Sequence, residues 1–290
     1  MKKHFKRVLL LCLALAVVAA VVLDFAAYLV ATRLKVTSYQ VEANVTQSLR
    51  IVHLTDLHSR EYGQGNEKLV ALVKAQQPDL IFITGDMLTV SDEGPEVVCR
   101  LIPKLLEIAP VYYGYGNHEK EWEERTGQLL EPELTKAGAI VLDCAYIDIE
   151  LKGQQLRIGG YHGYWYRAHM TADDQEEYHA DSQFMKAYED TDRVKLLLCH
   201  IPTAWLDWNL IHECPVDVVF SGHYHGGQVR LPLVGGLYVP YVGWLPEYTK
   251  GVFEGEKATC VLSVGAGSPA SIPRIFNLPE IVVVDIIPEK

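Results

Sequence analysis

The sequence has few cysteines, and their spacing builds no recognisable framework. One lies in an apolar N-terminal stretch, and the other five are irregularly spaced: Cys99, Cys144, Cys199, Cys214 and Cys260. An odd number at such spacing does not predict disulfide pairing. The sequence also lacks a C-x-x-C pair, which excludes the usual zinc ribbon. A hydrophobic core must hold the fold, and a hydrophobic content of 49% in 290 residues is sufficient for one.

Positive charge is scarce as well. There are 26 lysines and arginines against 37 acidic residues, so the formal net charge is -11. This balance argues against general affinity for anionic lipid surfaces, and no nucleic-acid partner is expected. A polyanionic substrate would depend on local positive charge, which bound divalent cations would supply.

The chain contains one long apolar run, at residues 8–31, preceded by Lys2, Lys3, Lys6 and Arg7. At 1.5 Å per residue such a helix reaches roughly 36 Å, against a hydrocarbon core of about 30 Å. A cleaved secretory signal is the alternative, but its apolar region is typically only about 7–15 residues long. We therefore predict a basic cytoplasmic segment at 1–7 and a transmembrane signal anchor at 8–31. Asp24 leaves a shorter span of 8–23 open.

Orientation and localisation follow from the charges beside this run. The positive-inside bias places the four cations before it in the cytoplasm. The remaining chain would then lie on the extracytoplasmic face of the plasma membrane, held by a single pass.

Beyond the anchor, the pattern alternates between strands and helices. Residues 32–48 predict a polar tether with one strand near 39–43, after which the pattern becomes regular. In the first half, short apolar strands (49–54, 79–84, 111–115) alternate with helical periodicity (66–76, 96–106), which is typical of an α/β layered fold. The second half predicts further strands, so that two sheets could pack face to face: 140–142, 145–151, 155–158, 195–199, 216–220, 259–264 and 280–286.

Polar motifs follow five of these strands directly. They are Asp56-Leu57-His58, Gly85-Asp86, Gly116-Asn117-His118-Glu119, Cys199-His200 and Gly222-His223-Tyr224-His225. Functional groups in open α/β sheets gather at the carboxyl ends of the strands. Carboxylates, amides and imidazoles suit divalent metals that activate water. Each motif alone is weak evidence, because a Gly-Asp pair is usually a turn, but the series predicts one metal site.

In their order and spacing the motifs resemble the calcineurin-like metallophosphoesterases, whose signature runs D-x-H, G-D, G-N-H-[DE], H, G-H-x-H. Three later features look like a membrane-associated bacterial branch of that family: Gly226-Gly227-Gln228, Leu231-Pro232-Leu233 and Arg274-Ile275-Phe276-Asn277. The resemblance covers roughly residues 49–287. It implies one α/β domain there, a four-layer α-β-β-α sandwich of two mixed β-sheets flanked by helices.

The resemblance also implies two divalent metal ions. One would be held by Asp56, His58, Asp86 and His225, and the other by Asp86, Asn117, His200 and His223. Asp86 would bridge them, and a shared anionic ligand offsets the repulsion between ions about 3.5–4 Å apart. A bridging hydroxide would attack phosphorus in line. Manganese, iron and zinc all fit the donors.

The resemblance places His118 at the leaving-group oxygen as a catalyst that is not a ligand. We expect Glu119, beside a run of acidic residues, to be solvated rather than to orient His118. The family often has an acidic pair where this chain reads Gly160-Tyr161-His162-Gly163. His162 could reach the site, but it has no fixed ligand spacing and is left out of the metal set.

The expected function is that of a membrane-anchored phosphoesterase with a dinuclear centre, favouring diesters over monoesters. A lipid-linked or other cell-envelope phosphate would suit the location. A non-catalytic, metal-stabilised interaction module is the alternative, although no ligand position is lost. Oxygen-activating dinuclear proteins place Glu-x-x-His pairs on helices, and these ligands follow strands. The polar segment 161–192 is either a surface excursion or a cap, and 238–248 is interpreted as core packing rather than a rim.

Overall fold

The structure is a computed structural model that describes residues 33–163, 183–240, 242–268 and 274–289, with scattered single residues between 4 and 25. Within these described parts of the chain, no helix has both the length and the apolar character needed to cross a bilayer. Most of the predicted anchor at 8–31 falls outside the described residues. So does most of 161–192, the segment interpreted as a surface excursion or a cap.

The first sheet has six strands in the order β1-β16-β2-β3-β4-β5. The strands β2 to β5 are parallel, whereas β16 runs antiparallel to β2 and parallel to β1. Short apolar strands such as Leu-Ile-Phe-Ile of β3 are buried along their whole length, as is typical of strands covered on both faces. The bounds are β1 Lys35–Ala43, β2 Leu49–Leu54, β3 Leu80–Ile83, β4 Val111–Gly114, β5 Ile140–Leu142 and β16 Glu280–Pro288.

The second sheet also has six strands, in the order β14-β15-β9-β8-β7-β6. Its four inner strands are parallel and its two outer strands antiparallel. The bounds are β6 Ala145–Leu151, β7 Gln154–Tyr161, β8 Val194–Cys199, β9 Val218–Ser221, β14 Gly251–Glu254 and β15 Thr259–Leu262. Two small hairpins precede β14: β10 Arg230–Leu231 with β11 Gly235–Gly236, and β12 Tyr238–Val239 with β13 Gly243–Trp244.

Helices cover the outer faces of the sheets. In α2 the buried residues Val98, Leu101, Ile102 and Leu105 recur at helical spacing and pack on the first sheet. Between the sheets, Phe82 meets Phe220 edge to face with ring centroids 5.0 Å apart. The prediction of mixed sheets flanked by helices is thus confirmed. The bounds are α1 Glu67–Gln76, α2 Glu96–Leu106, α3 Asn117–Thr126, α4 Glu131–Ala137 and α5 Thr203–Leu206.

The strand expected near 39–43 within the tether at 32–48 is present, but it begins earlier than predicted. Residues 35–43 form a full strand that pairs with β16 in parallel, with Lys35 opposite Glu280 and Ala43 opposite Pro288. The error has a physical cause, because an edge strand with one exposed face carries a weak apolar pattern, and its partner lies at the far end of the chain.

Strand direction places several chain segments at one edge of the molecule. We call this the carboxyl edge, defined by the carboxyl ends of β2, β3, β4, β8 and β9. Because β16 is antiparallel to β2, with Val282 opposite His53, its first residue lies at this edge. The parallel strand β1 therefore begins at the same edge.

Candidate metal centre

The five motifs meet at the carboxyl edge. Asp56, His58 and His225 offer ligand atoms that all lie within 4.8 Å of one another. A second group with the same spacing comprises Asp86, His200 and His223. The structure thus brings together six of the seven predicted ligands in two groups. Each group lies within one of the two implied ligand sets, and a third group of the same spacing comprises His58, Asp86 and His118.

Asp86 lies between the two groups. Its Oδ2 is 3.1 Å from His200 Nε2 and 4.0 Å from His58 Nε2, so it faces an imidazole of each group. Its Oδ1 accepts a hydrogen bond of 2.9 Å from the backbone N–H of His118. Asn117, the seventh predicted ligand, is the residue before His118 and begins α3. This position of Asp86 is the one that a bridging carboxylate needs.

Asp56 is held within the first group by its neighbours. Thr55 donates to its Oδ2 at 2.8 Å, and the backbone N–H of His223 lies 3.2 Å from either oxygen. Its Oδ1 is 3.4 Å from His225 Nε2, which is in turn 3.4 Å from His58 Nε2. Two imidazole nitrogens and a carboxylate oxygen converge on one point.

A buried polar atom without a partner, together with the types of donor present, indicates whether metal ions fit the site. Within the described residues, the buried atom Asn117 Oδ1 has no hydrogen-bond partner. Leaving such an atom unsatisfied costs about 1–3 kcal/mol, which a bound cation would offset. The donors are oxygens and nitrogens without thiolate, a set that suits divalent ions. The residues present therefore fit two such ions.

Protonation of the imidazoles is set by burial and by the carboxylates. Burial lowers the pKa of both His58 and His223 to about 3, so these rings are neutral and able to ligate. Burial also disfavours the charged form of His200, but Asp86 and Asp56 outweigh it and raise the pKa of His200 to about 9. A metal ion must displace that proton to use the ring, so metal binding here competes with protonation.

The backbone at the ligands is strained. Asp56, His58, Asp86, His223 and His225 have φ values of 53°, 49°, 51°, 68° and 45°. Such left-handed conformations cost roughly 1–3 kcal/mol each outside glycine, and they cluster at functional sites. No residue pattern in the sequence indicates these conformations.

Two motif glycines permit the close approach of the loops. Gly85 has a φ of +89°, and a Cβ added there would lie 2.0 Å from the backbone nitrogen of Gly116. At Gly222 a Cβ would lie 2.2 Å from Asp56 Oδ2. Gly85 is therefore needed for both its conformation and its size, and Gly222 for its size.

His118 sits on the solvent side of the centre. Its side chain is 15% exposed against 1% for His58, and its Nε2 is 3.9 Å from Asp86 Oδ2. The backbone N–H of Val90 donates to its Nδ1 at 3.0 Å. Because Nδ1 accepts that bond, the neutral ring carries its proton on Nε2, which faces Asp86.

The expectation of a solvated Glu119 is wrong. Its side chain is fully buried and accepts hydrogen bonds from the backbone N–H groups of Asp86, Met87 and Gly116 at 2.7, 2.9 and 2.8 Å. The Tyr113 hydroxyl donates a fourth bond at 2.8 Å. Glu119 thus ties the loop of Asp86 to the start of α3. Its position three residues after Gly116 is the capping-box spacing, which is the signal that could have indicated this role.

Arg274 is a buried neighbour whose role the sequence did not reveal. It is 3% exposed, and its Nη2 lies 3.1 Å from His225 Nδ1. The same nitrogen donates to the backbone carbonyls of Val264 and Gly267. Burial lowers the pKa of Arg274 to about 10, which leaves it cationic behind the first group at neutral pH.

His162 lies outside the two ligand groups. Its Nδ1 is 3.9 Å from Asp143 Oδ1, and Asp143 also pairs with Lys120. Together with Cys144, His162 and Asp143 form a separate group.

The core-packing interpretation of 238–248 is only partly correct. Val239 is fully buried, but Trp244 is 77% exposed and Leu245 is 62% exposed. The β12–β13 hairpin carries these two side chains outward.

His53 predicts a pH dependence of folding. It is fully buried in β2, with its Nε2 2.7 Å from Thr84 Oγ1, and burial lowers its pKa from 6.5 to about 3. Between these values the unfolded chain binds a proton and the folded chain does not, so acidification favours unfolding. We expect His53 to contribute a loss of up to about 1.4 kcal/mol of unfolding free energy per pH unit as the pH falls through this window. Urea unfolding of the wild type and of His53→Gln at several pH values should show a shallower slope in the variant. Equal slopes would contradict the assignment.

This chain is similar to known proteins in sequence. The sequence model of the calcineurin-like phosphoesterase family matches residues 49–227. YkoQ of Bacillus subtilis, an uncharacterized metallophosphoesterase, is 30% identical over 190 residues, 64% of each chain. This chain thus spans somewhat less than two thirds of YkoQ. The phosphodiesterase YaeI of Escherichia coli is 24% identical over 82% of each chain. YkuE of Bacillus subtilis is 24% identical over 89% of this chain and 87% of its own.

Among solved structures, the 5′-nucleotidase precursor of Thermus thermophilus is similar to this chain. It aligns with a TM-score of 0.48 and 16% identity, over 76% of this chain and 49% of that chain.

Proposed function

This chain belongs to the calcineurin-like phosphoesterase family, and from that premise we propose that it hydrolyses phosphate diesters at a dinuclear centre while anchored to a membrane. As a member it is a metallophosphoesterase. The observation that carries the dinuclear centre is the position of Asp86, whose Oδ2 faces His200 of one group and His58 of the other.

The seven ligands divide into two sets that share one residue. Asp56, His58, His225 and Asp86 would hold one ion, and Asp86, Asn117, His200 and His223 would hold the other. Two bound divalent ions, whether manganese, iron or zinc, would supply a water of lowered pKa and positive charge beside the phosphoryl oxygens.

His118 is the proton donor to the leaving group in this proposal. Its Nε2–H faces the centre, because the Val90 N–H occupies Nδ1. From there it can donate a proton to the oxygen that departs from phosphorus. Its ring is more exposed than that of the ligand His58, which favours a position at the substrate entrance.

Two observations support a diester rather than a monoester. A diester carries a single negative charge at neutral pH, which suits a chain of net charge -11 better than a dianionic monoester does. YaeI, which aligns over most of both chains, is named a phosphodiesterase.

The anchor supports a substrate in the membrane or the cell envelope. The apolar run 8–31, with cations before it, would hold the domain on the extracytoplasmic face of the plasma membrane. A lipid-linked phosphate would then lie within reach. The run joins the domain at β1, whose first residue lies at the carboxyl edge beside the metal centre.

The test uses the full chain in detergent, because truncation beyond Lys35 would cut into β1. Bound metal is measured first, and then hydrolysis of bis(p-nitrophenyl) phosphate and p-nitrophenyl phosphate with manganese, iron or zinc. We expect faster hydrolysis of the diester, loss of activity with a chelator and recovery when metal is returned. Metal-loaded protein that is inactive on both substrates would overturn the proposed function. A preference for the monoester would overturn the diester assignment alone.

A further inference from the structure

Large apolar side chains project from the two hairpins beside the metal centre. We call the six residues Leu231, Leu233, Val234, Trp244, Leu245 and Phe276 the apolar rim. Leu233 is fully exposed, Trp244 is 77% exposed, and the least exposed of the six, Leu231, is still 40% exposed. Soluble surfaces rarely gather large apolar residues in this way, and such patches mark interaction sites.

The segments that carry the apolar rim are neighbours in the fold. The backbone N–H of Leu245 donates to Leu237 at 2.8 Å, and that of Leu237 donates to Val229 at 2.9 Å, which joins the two hairpins. Val229 forms a bridge with Ile275, the residue before Phe276. Backbone hydrogen bonds therefore join the segments that carry the six side chains.

Folding does not account for the side chains at three rim positions. Leu233, Leu245 and Phe276 have φ values of 68°, 53° and 52°, the left-handed region that favours glycine and asparagine. Each side chain is at least half exposed, so core packing does not compensate for the strain. Packing within the described residues therefore does not explain their apolar character.

The apolar rim lies at the carboxyl edge. Arg230, at the start of the first hairpin, donates to the carbonyl of Gly226 at 2.8 Å, and Gly226 directly follows the ligand His225. On the other side, the N–H of Lys35 donates to Pro279 at 3.0 Å, three residues after Phe276. The metal centre, the rim and the start of β1 thus adjoin one another.

The short connection between the apolar run and β1 limits how far the apolar rim can lie from a bilayer. The apolar run ends at residue 31 and β1 begins at Lys35, a span of roughly 14 Å when fully extended. A bilayer that holds residues 8–31 must therefore lie within that distance of the carboxyl edge. Arg33, Lys35 and Lys68 line a groove there, which places cations at the level of lipid phosphates.

We infer that the apolar rim inserts into the surface of the bilayer that holds the N-terminal run, so that the metal centre opens toward the lipid headgroups. The inference rests on the anchoring in the proposed function. Trp244 and Tyr238, whose ring centroids are 5.2 Å apart, are the residue types that collect at membrane interfaces. The substrate class that this placement favours is a phosphate ester borne by a lipid.

Photo-crosslinking tests the contact. The full chain is placed in vesicles of phosphatidylethanolamine and phosphatidylglycerol, with p-benzoylphenylalanine in place of Leu233. The matched control carries it in place of Gln47, which is exposed in the loop before β2, at the opposite edge. We expect lipid adducts at 233 and none at 47. The absence of lipid adducts at 233, or adducts there to a second copy of the chain, would overturn the inference.

Fluorescence provides a second readout that needs no crosslinker. Brominated acyl chains quench tryptophans that enter the bilayer, so Trp244→Phe should lose most of the quenchable emission. Trp208→Phe, which alters a partly buried tryptophan packed against the core, should retain it. Equal quenching in the two variants would contradict insertion. Leu233→Asp should hydrolyse soluble bis(p-nitrophenyl) phosphate at the wild-type rate. A wrong inference about bilayer insertion is therefore distinguishable from a wrong proposed function.

Discussion

Asp86→Ala is expected to lose bound metal and to slow diester hydrolysis by at least about a thousandfold. Metal ions stabilise charge in such reactions by several kcal/mol, and about 1.4 kcal/mol corresponds to a tenfold change in rate. The effect is large because Asp86 faces both ligand groups, so its loss weakens both sites together. It also leaves two close cation sites without the anionic oxygen between them.

Metal content and turnover are measured on the same preparation of Asp86→Ala. Asp86→Asn separates charge from shape, since an amide oxygen can still accept the N–H of His118 that Oδ1 accepts now. We expect it to lose metal almost as completely as Asp86→Ala. Asp285→Asn is the matched control, because that carboxylate pairs with Arg50 at the opposite edge. Full metal content in Asp86→Ala would show that Asp86 does not bridge.

His118→Asn is expected to keep both metals and to lose about 10²–10⁴-fold in turnover, the usual contribution of a positioned general acid. The ring makes no contribution to either ligand set in the assignment above, and its Nε2–H faces the centre from the solvent side. A further signature follows from proton donation. The loss of turnover in His118→Asn should be smaller for p-nitrophenyl esters, whose leaving group departs without a proton, than for alkyl esters.

The decisive measurement for His118→Asn is therefore the ratio of its rates on an alkyl and a p-nitrophenyl diester, with metal content determined alongside. An equal deficit on both esters would contradict proton donation. If His118→Asn lost metal as Asp86→Ala is expected to, the separation of catalyst from ligand would be wrong.

The sequence was most informative where chemistry and strand pattern coincide. Buried runs such as Leu80–Ile83 predicted the inner strands, and the polar residues after them predicted which side chains meet. Glu119 was misjudged because the acidic residues around it, Glu121 and Glu123, suggested solvent, whereas its partners are backbone groups of another loop. Local sequence does not show such partners.

Two other differences share that cause. The extent of β1 depends on β16, which lies at the far end of the chain. The outward direction of Trp244 depends on a hairpin of two residues per strand, too short to show an alternating pattern. In both cases the sequence named the residues and tertiary pairing determined where they lie.

The pairing of β1 with β16 has a mechanical consequence. A tensile force applied through the apolar run 8–31 would reach the domain at Lys35, the first residue of β1. β1 runs in parallel beside β16 from Lys35 to Ala43. A force along the strand axis therefore acts in shear on all the hydrogen bonds between the two strands at once, and does not break them one after another. Tension along that axis would then be shared among the hydrogen bonds between β1 and β16.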